Sequence, residues 1–172
     1  MRLEPPPDGY SHKQWLWRRY AATMPHFICP NCKERTIDTD GLESLLDRQA
    51  VGCHRCGFGF LFELMDDYYP APTTGFVVCD QGGRILAVGR GIFELTGYRE
   101  GDLMGHEVVE ALHLSGFEQD KNPVALALEW GVRQLDRELE LETASGGERR
   151  VKADVFPAYD DDGGLLVAIT PR

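Results

Sequence analysis

Four of the chain's five cysteines stand in two tight pairs, Cys29 and Cys32 in "CPNC" and Cys53 and Cys56 in "CHRCG", with twenty residues between the pairs. A two-residue spacer lets one tight turn present two sulfurs, and two such turns can close a tetrahedral shell around zinc at Zn–S distances of ~2.3 Å. Four thiolates leave no open position for water, which would make such a site structural. Other chemistries use the same residues differently. A redox-active Cys-x-x-Cys usually occurs once, at the start of a helix in a βαβ setting, whereas here two pairs lie among strand-like residues. An iron–sulfur cluster also takes four cysteines, but at other spacings. His26 and His54 are near enough in sequence to substitute as ligands and are otherwise surface residues or supports for the sulfurs. Gly57, directly after the last sulfur, suits a turn whose backbone amides point at it.

The elements around the pairs are strand-like. Between them, "KERTIDTDGLESLLDRQAVG" has β-favouring pieces at Thr36–Thr39 and Gln49–Val51 around a polar middle, which predicts a strand, an excursion and a returning strand. Beyond them, Phe58, Phe60, Phe62 and Leu64 alternate at period two and predict a strand with one aromatic face. Together these features resemble a zinc ribbon over about residues 26–66, with Lys33 where the first knuckle of such ribbons often has glycine. The resemblance implies one structural zinc ion held by Cys29, Cys32, Cys53 and Cys56. So short a unit cannot bury enough apolar surface to offset its chain entropy, so zinc binding and folding are expected to be coupled by roughly 10 kcal/mol.

Composition narrows the setting. Hydrophobic residues make up 42% of the chain, enough for a folded protein. No apolar run approaches the length of a membrane span and no signal-peptide pattern opens the sequence, so a soluble, cytoplasmic protein is expected, where cysteines stay reduced. The net charge of −10 divides as +3 over residues 1–36, −5 over 37–72 and −8 over 73–172. The acidic remainder would be repelled by a phosphate backbone, so any nucleic-acid contact is confined to the N-terminal arm or the ribbon.

Residues 1–25 read as an amphipathic helical arm. Ser11 suits an N-cap, and Trp15, Leu16, Arg19, Tyr20 and Thr23 fall on overlapping helical rows. Two tryptophans beside Arg18 and Arg19 could grip a partner, or the aromatics could pack against the rest of the chain. At the other end of the ribbon, Pro70 and Pro72 in "DDYYPAPTTG" mark an extended linker over residues 67–74.

From Gly75 the pattern becomes regular. "GFVVCD", "QGG" and "RILAVG" read as strand, turn and strand. Short helices follow, punctuated by Gly97, Gly101 and Gly105, and one more is expected at Pro123–Trp130 with Gly131 as its stop. Three strands complete the chain. In the first of them Leu135, Leu139 and Leu141 are expected on one face and Gln134, Asp136, Glu138, Glu140 and Glu142 on the other. Arg150 and Lys152 of the next strand are expected opposite that acidic stripe.

This order, with Asp80, Gly83–Leu86, Leu95–Tyr98 and Leu103–Gly105, resembles a PAS domain over residues 75–172. Gly89 and Gly91 depart from the Asn and Ala that the family often carries near its first helix. The fold class expected is therefore α+β: a small β zinc ribbon, then a five-stranded antiparallel sheet with short helices on one face. The resemblance implies a sensor and interaction module, in which haem, flavin or a small metabolite can lie between sheet and helices, and in which homodimers often form through the sheet and an N-terminal flanking helix. The flavin-photoreceptor cysteine segment is missing from the sequence. Cys79 falls on a strand and reads as a buried apolar residue, while His106 and His113 are the histidines to weigh as haem ligands. No nucleophile–base pair, phosphate loop or paired catalytic carboxylates stand out. The expected function is a non-enzymatic sensor or regulatory adaptor acting on a protein partner. The alternatives are a transcription-associated factor contacting nucleic acid or RNA polymerase through the ribbon and arm, and a haem or flavin sensor.

Overall fold

A computed structural model describes residues 26–37, 52–64, 68–158 and 164–172. The helical arm over 1–25 and the strand at Gln49–Val51 lie outside these residues.

Three short strands form the first sheet: β1 (His26–Ile28), β2 (Arg35–Ile37) and β3 (Phe62–Leu64), antiparallel in the order β2-β1-β3. The strand expected from Phe58 is reduced to its last residues. The Phe58 carbonyl is taken by the Cys53 N–H at 2.8 Å, which commits the chain to closing a turn before it can pair with β1. Phe58 and Phe60 instead tilt against each other ahead of the strand, with ring centroids 6.0 Å apart.

The second sheet has five strands: β4 (Gly75–Cys79), β5 (Ile85–Val88), β6 (Gln134–Glu142), β7 (Glu148–Pro157) and β8 (Leu165–Pro171). They are antiparallel in the order β5-β4-β8-β7-β6, so the first and last strands of this half of the chain lie side by side at its centre. Between β5 and β6 run α1 (Ile92–Thr96), α2 (Glu100–Leu103), α3 (Val108–Ala111) and α4 (Pro123–Trp130). The fold is mixed α+β, as the sequence implies.

Local chemistry sets these boundaries. Asp80 closes the β4–β5 turn by accepting the Gly82 and Arg84 amides at 2.8 and 2.9 Å. Asn122 caps α4 by accepting the Val124 and Ala125 amides, Pro123 fills the first turn, and Gly131 ends the helix in the left-handed region at φ 62°. The Glu94 carboxylate reaches back to the Gly91 amide at 2.9 Å and fixes the start of α1.

Two apolar cores share the five-stranded sheet. On its inner face, Val77, Ile85, Leu139, Val151, Val167 and Ile169 pack with Ile92, Leu95, Leu103, Val108, Leu112 and Val124 of the helical region. On its outer face, Phe76, Val78, Ala87, Phe156, Leu166 and Ala168 pack with Ile28, Phe62 and Leu64 of the first sheet. Every residue of β4 is therefore buried, as are Leu165 to Ile169 of β8.

One expectation for β6 is corrected. Leu139 and Leu141 face the inner core, but Leu135 packs with the outer one. The register of β6 on β7 slips between Gln134 and Arg137, where Asp136 adopts φ 55°. An irregularity of this kind interrupts the alternation and turns the strand's next side chain to the opposite face. It is held by the Asp154 carboxylate, which accepts the Asp136 N–H at 2.7 Å. Among the described residues no helix is long and apolar enough to cross a membrane.

Candidate metal centre

The two cysteine turns are near copies of each other. Cys29 O accepts the Lys33 N–H at 2.9 Å, and Cys53 O accepts the Gly57 N–H at 2.8 Å. The Cys29 N–H donates to Glu34 O and the Cys53 N–H to Phe58 O, at 3.0 and 2.8 Å. Both turns end in a left-handed residue, Lys33 at φ 62° and Gly57 at φ 73°. Lys33 thus takes the conformation for which glycine is the usual choice. Its ammonium donates to Pro72 O in the linker.

This arrangement brings the sulfurs of Cys29, Cys32, Cys53 and Cys56 within 4.8 Å of one another, close enough to bind one metal ion. Cys29 and Cys56 are 3.6 Å apart, as are Cys32 and Cys53, so the short contacts run between turns. Such separations are far beyond an S–S bond of ~2.05 Å. His26 and His54 do not belong to the cluster.

The sulfurs differ in setting. Cys29 is fully buried, and desolvation pushes its thiol up to about 12 despite backbone N–H donors from Cys32 and Asn31 that favour the thiolate. Cys56 lies at the surface, where chiefly the Phe58 amide draws its thiol down to about 6. A cation at the centre would favour all four thiolates. The rim carries Lys33, Arg55 and Arg90 around a shallow depression that also exposes Asn31, Cys32 and Cys56. Arg55 pairs with Glu34 across the two turns. Four thiolates around a dication would carry a net charge of −2, which these basic groups would offset.

The Asn31 side chain joins the sulfur cluster to the five-stranded domain. Asn31 accepts the Arg90 N–H through Oδ1 at 3.1 Å, while its Nδ2 donates to Cys56 Sγ at 3.5 Å. Beside it, Pro30 lies against the backbone of Gly89. The linker is held from the same side, as Arg35 donates to Tyr68 O at 3.2 Å and stacks over the Tyr69 ring at 4.2 Å. Tyr68 in turn donates to the Asp154 carboxylate at 3.0 Å and meets Phe156 edge-on at 4.6 Å. Asp154 is only 2% exposed, with Lys152 at 3.7 Å.

The remaining candidates lie elsewhere. Cys79 is buried in the inner core, where its thiol is pushed up by desolvation first and then by Glu107 and Asp80. His106 and His113 are exposed, and His113 lies 6.4 Å from the Tyr98 ring. Sequence reasoning did not single out Asn31, Tyr68 or Asp154, which act through the docking of one sheet on the other. Gly89 did carry a signal, since it departs from the pattern of the family it resembles. The close passage of Pro30 supplies the reason.

No family model and no curated protein matches the chain. Among solved structures, the light-state dimer of the fungal blue-light photoreceptor Vivid is similar with a TM-score of 0.51 and 12% identity, covering 80% of this chain and 95% of that one. The strand order and the helices on one face agree with the PAS pattern read from the sequence. The fold is PAS-like. Two PAS domains are similar at lower scores. That of a Colwellia psychrerythraea protein has a TM-score of 0.49 at 21% identity, covering 58% of this chain and 86% of that one. That of nitrogen regulation protein NR(II) from Vibrio parahaemolyticus has 0.49 at 16%, covering 59% and 91%.

Proposed function

We propose that Cys29, Cys32, Cys53 and Cys56 hold one structural zinc ion, which makes the N-terminal sheet a zinc ribbon. We further propose that the PAS-like domain behind it is a non-enzymatic sensory or regulatory module acting on a protein partner. The observation that carries the first part is the pair of 3.6 Å sulfur separations. Zn–S bonds of ~2.3 Å in a tetrahedron place their sulfurs about 3.8 Å apart. Thiolate donors select soft ions such as zinc or copper(I). Bound there, the ion would neutralise part of the thiolate charge and tie the two turns together. With four protein ligands it would have no position for a substrate.

The second part rests on the PAS-like fold and on the lack of an assembled nucleophile, base or phosphate loop in the sequence. Fold alone leaves function open. Vivid's description as a blue-light photoreceptor supports a sensory role here. Pairing of two chains through the sheet, which the PAS resemblance implies, must contend with the first sheet that packs on its outer face.

Native mass spectrometry of the reduced full chain, with a visible absorbance spectrum, tests the reading. One zinc per chain and a colourless protein are expected. A reduced chain that keeps β1–β3 folded without metal would overturn the zinc ribbon, and a coloured protein would make the domain a haem or flavin sensor instead.

A further inference from the structure

We infer that the ribbon is a metal-held cover on the outer face of the PAS-like sheet, latched by Asn31, and that loss of the metal uncovers this face while the domain beneath stays folded. The inference rests on the reading that the four cysteines bind zinc.

Three observations carry it. First, the outer face carries an apolar patch that the first sheet covers: Phe76, Val78, Leu166 and Ala168 are buried in one cluster with Ile28, Phe62 and Leu64. Second, those three covering residues lie on β1 and β3, three-residue strands in a sheet of three. Elements this short do not hold together by pairing alone, so their geometry depends on the cluster that joins the "CPNC" and "CHRCG" turns. Third, the Asn31 side chain connects that cluster to the domain. Asn31 touches a sulfur ligand with Nδ2 and holds the Arg90 amide with Oδ1, directly before α1. If the sulfurs separate, both bonds of Asn31 are lost together, and Pro30 has no reason to stay against Gly89.

The PAS-like domain has its own support. Its inner core joins all five strands to the helices and includes no residue of the ribbon. Metal loss should therefore remove one core and leave the other.

Methyl-resolved NMR on the full chain distinguishes the two faces, because neighbouring residues of one strand point to opposite sides. After zinc is withdrawn by a chelator under reducing conditions, the methyl signals of Val78, Leu166 and Ala168 should shift while those of Val77, Val167 and Ile169 hold. The Arg90 amide should exchange with solvent at least about tenfold faster. If inner and outer methyls move together, the chain unfolds as one body and the inference fails. It also fails if neither set moves. Asn31→Ala separates the latch from the ligands: it should retain one zinc per chain and still show the faster Arg90 exchange, and unchanged exchange would remove Asn31 from the role. A chain that binds no zinc would sink the metal reading and this inference with it, whereas zinc binding with unmoved outer methyls would sink the inference alone.

Discussion

A Cβ on Gly89 would lie 2.1 Å from the carbonyl oxygen of Pro30, and 2.8 Å from the carbonyl carbon behind it. Backbone cannot swing aside as a side chain can, so Gly89 is the position at which the PAS-like domain admits the first cysteine turn. Gly89→Ala should force the two units apart locally and cost about 1–3 kcal/mol, the usual range for overpacking. Thermal unfolding of the zinc-loaded chain should show the midpoint falling by several degrees, at about 2–4 °C per kcal/mol for a chain of this size. An unchanged midpoint with unchanged protection of the Arg90 amide would show that the contact is not tight in solution.

Gly57→Ala provides a contrast. The position is left-handed at φ 73°, but nothing lies within 4 Å of where the new Cβ would stand. Only the backbone conformation resists the change, and the loss should be about 1 kcal/mol with the zinc count unaltered. Denaturant titration beside metal analysis would check both halves.

Tyr68→Phe removes one hydroxyl from a buried carboxylate. Asp154 would keep the Asp136 amide and Lys152 but lose its donor from the linker. A hydrogen bond to a charged group suggests a loss of about 1.5–3 kcal/mol, while the ring contact with Phe156 survives. Tyr68→Ala should cost more, because that contact goes too. Equal losses for the two variants in urea unfolding would show that the hydroxyl contributes nothing.

Cys79 gives the alkaline limb of stability a specific source. Burial, then Glu107 and Asp80, pushes its thiol from an ordinary value of 9.0 to about 12. Because the folded value is the higher, this contribution is fully present below about pH 9 and declines as pH rises toward 12, by up to about 1.4 kcal/mol per pH unit. Unfolding measured at pH 8 and pH 10.5 should therefore show a smaller drop in Cys79→Ala than in the parent chain, by roughly 2 kcal/mol. Identical drops would mean that the thiol ionises without opening the core.

What the sequence disclosed depended on whether a signal was local. Two Cys-x-x-Cys spacings, the Asp80 turn and the Pro123 and Gly131 boundaries of α4 act within a few residues, and each could be read directly. The face of Leu135 could not, because Asp136 leaves the strand conformation for a carboxylate eighteen residues away. The docking of one sheet on the other left two traces. "GFVVC" and "LLVAI" are unbroken apolar runs, as strands buried on both faces should be, and Gly89 stands where a larger residue was expected. Neither trace names the partner surface, Ile28, Phe62 and Leu64, whose contacts in the outer core reach from nearby Phe76 to distant Ala168.

The shared sheet bears on how this protein can be divided. A fragment beginning at Gly75 would retain every strand and helix of the PAS-like half, yet it would present Phe76, Val78, Phe156, Leu166 and Ala168 to water and leave Asp154 without Tyr68. Such a piece would tend to self-associate or precipitate, and any dimer it formed would report on the cut instead of the native chain.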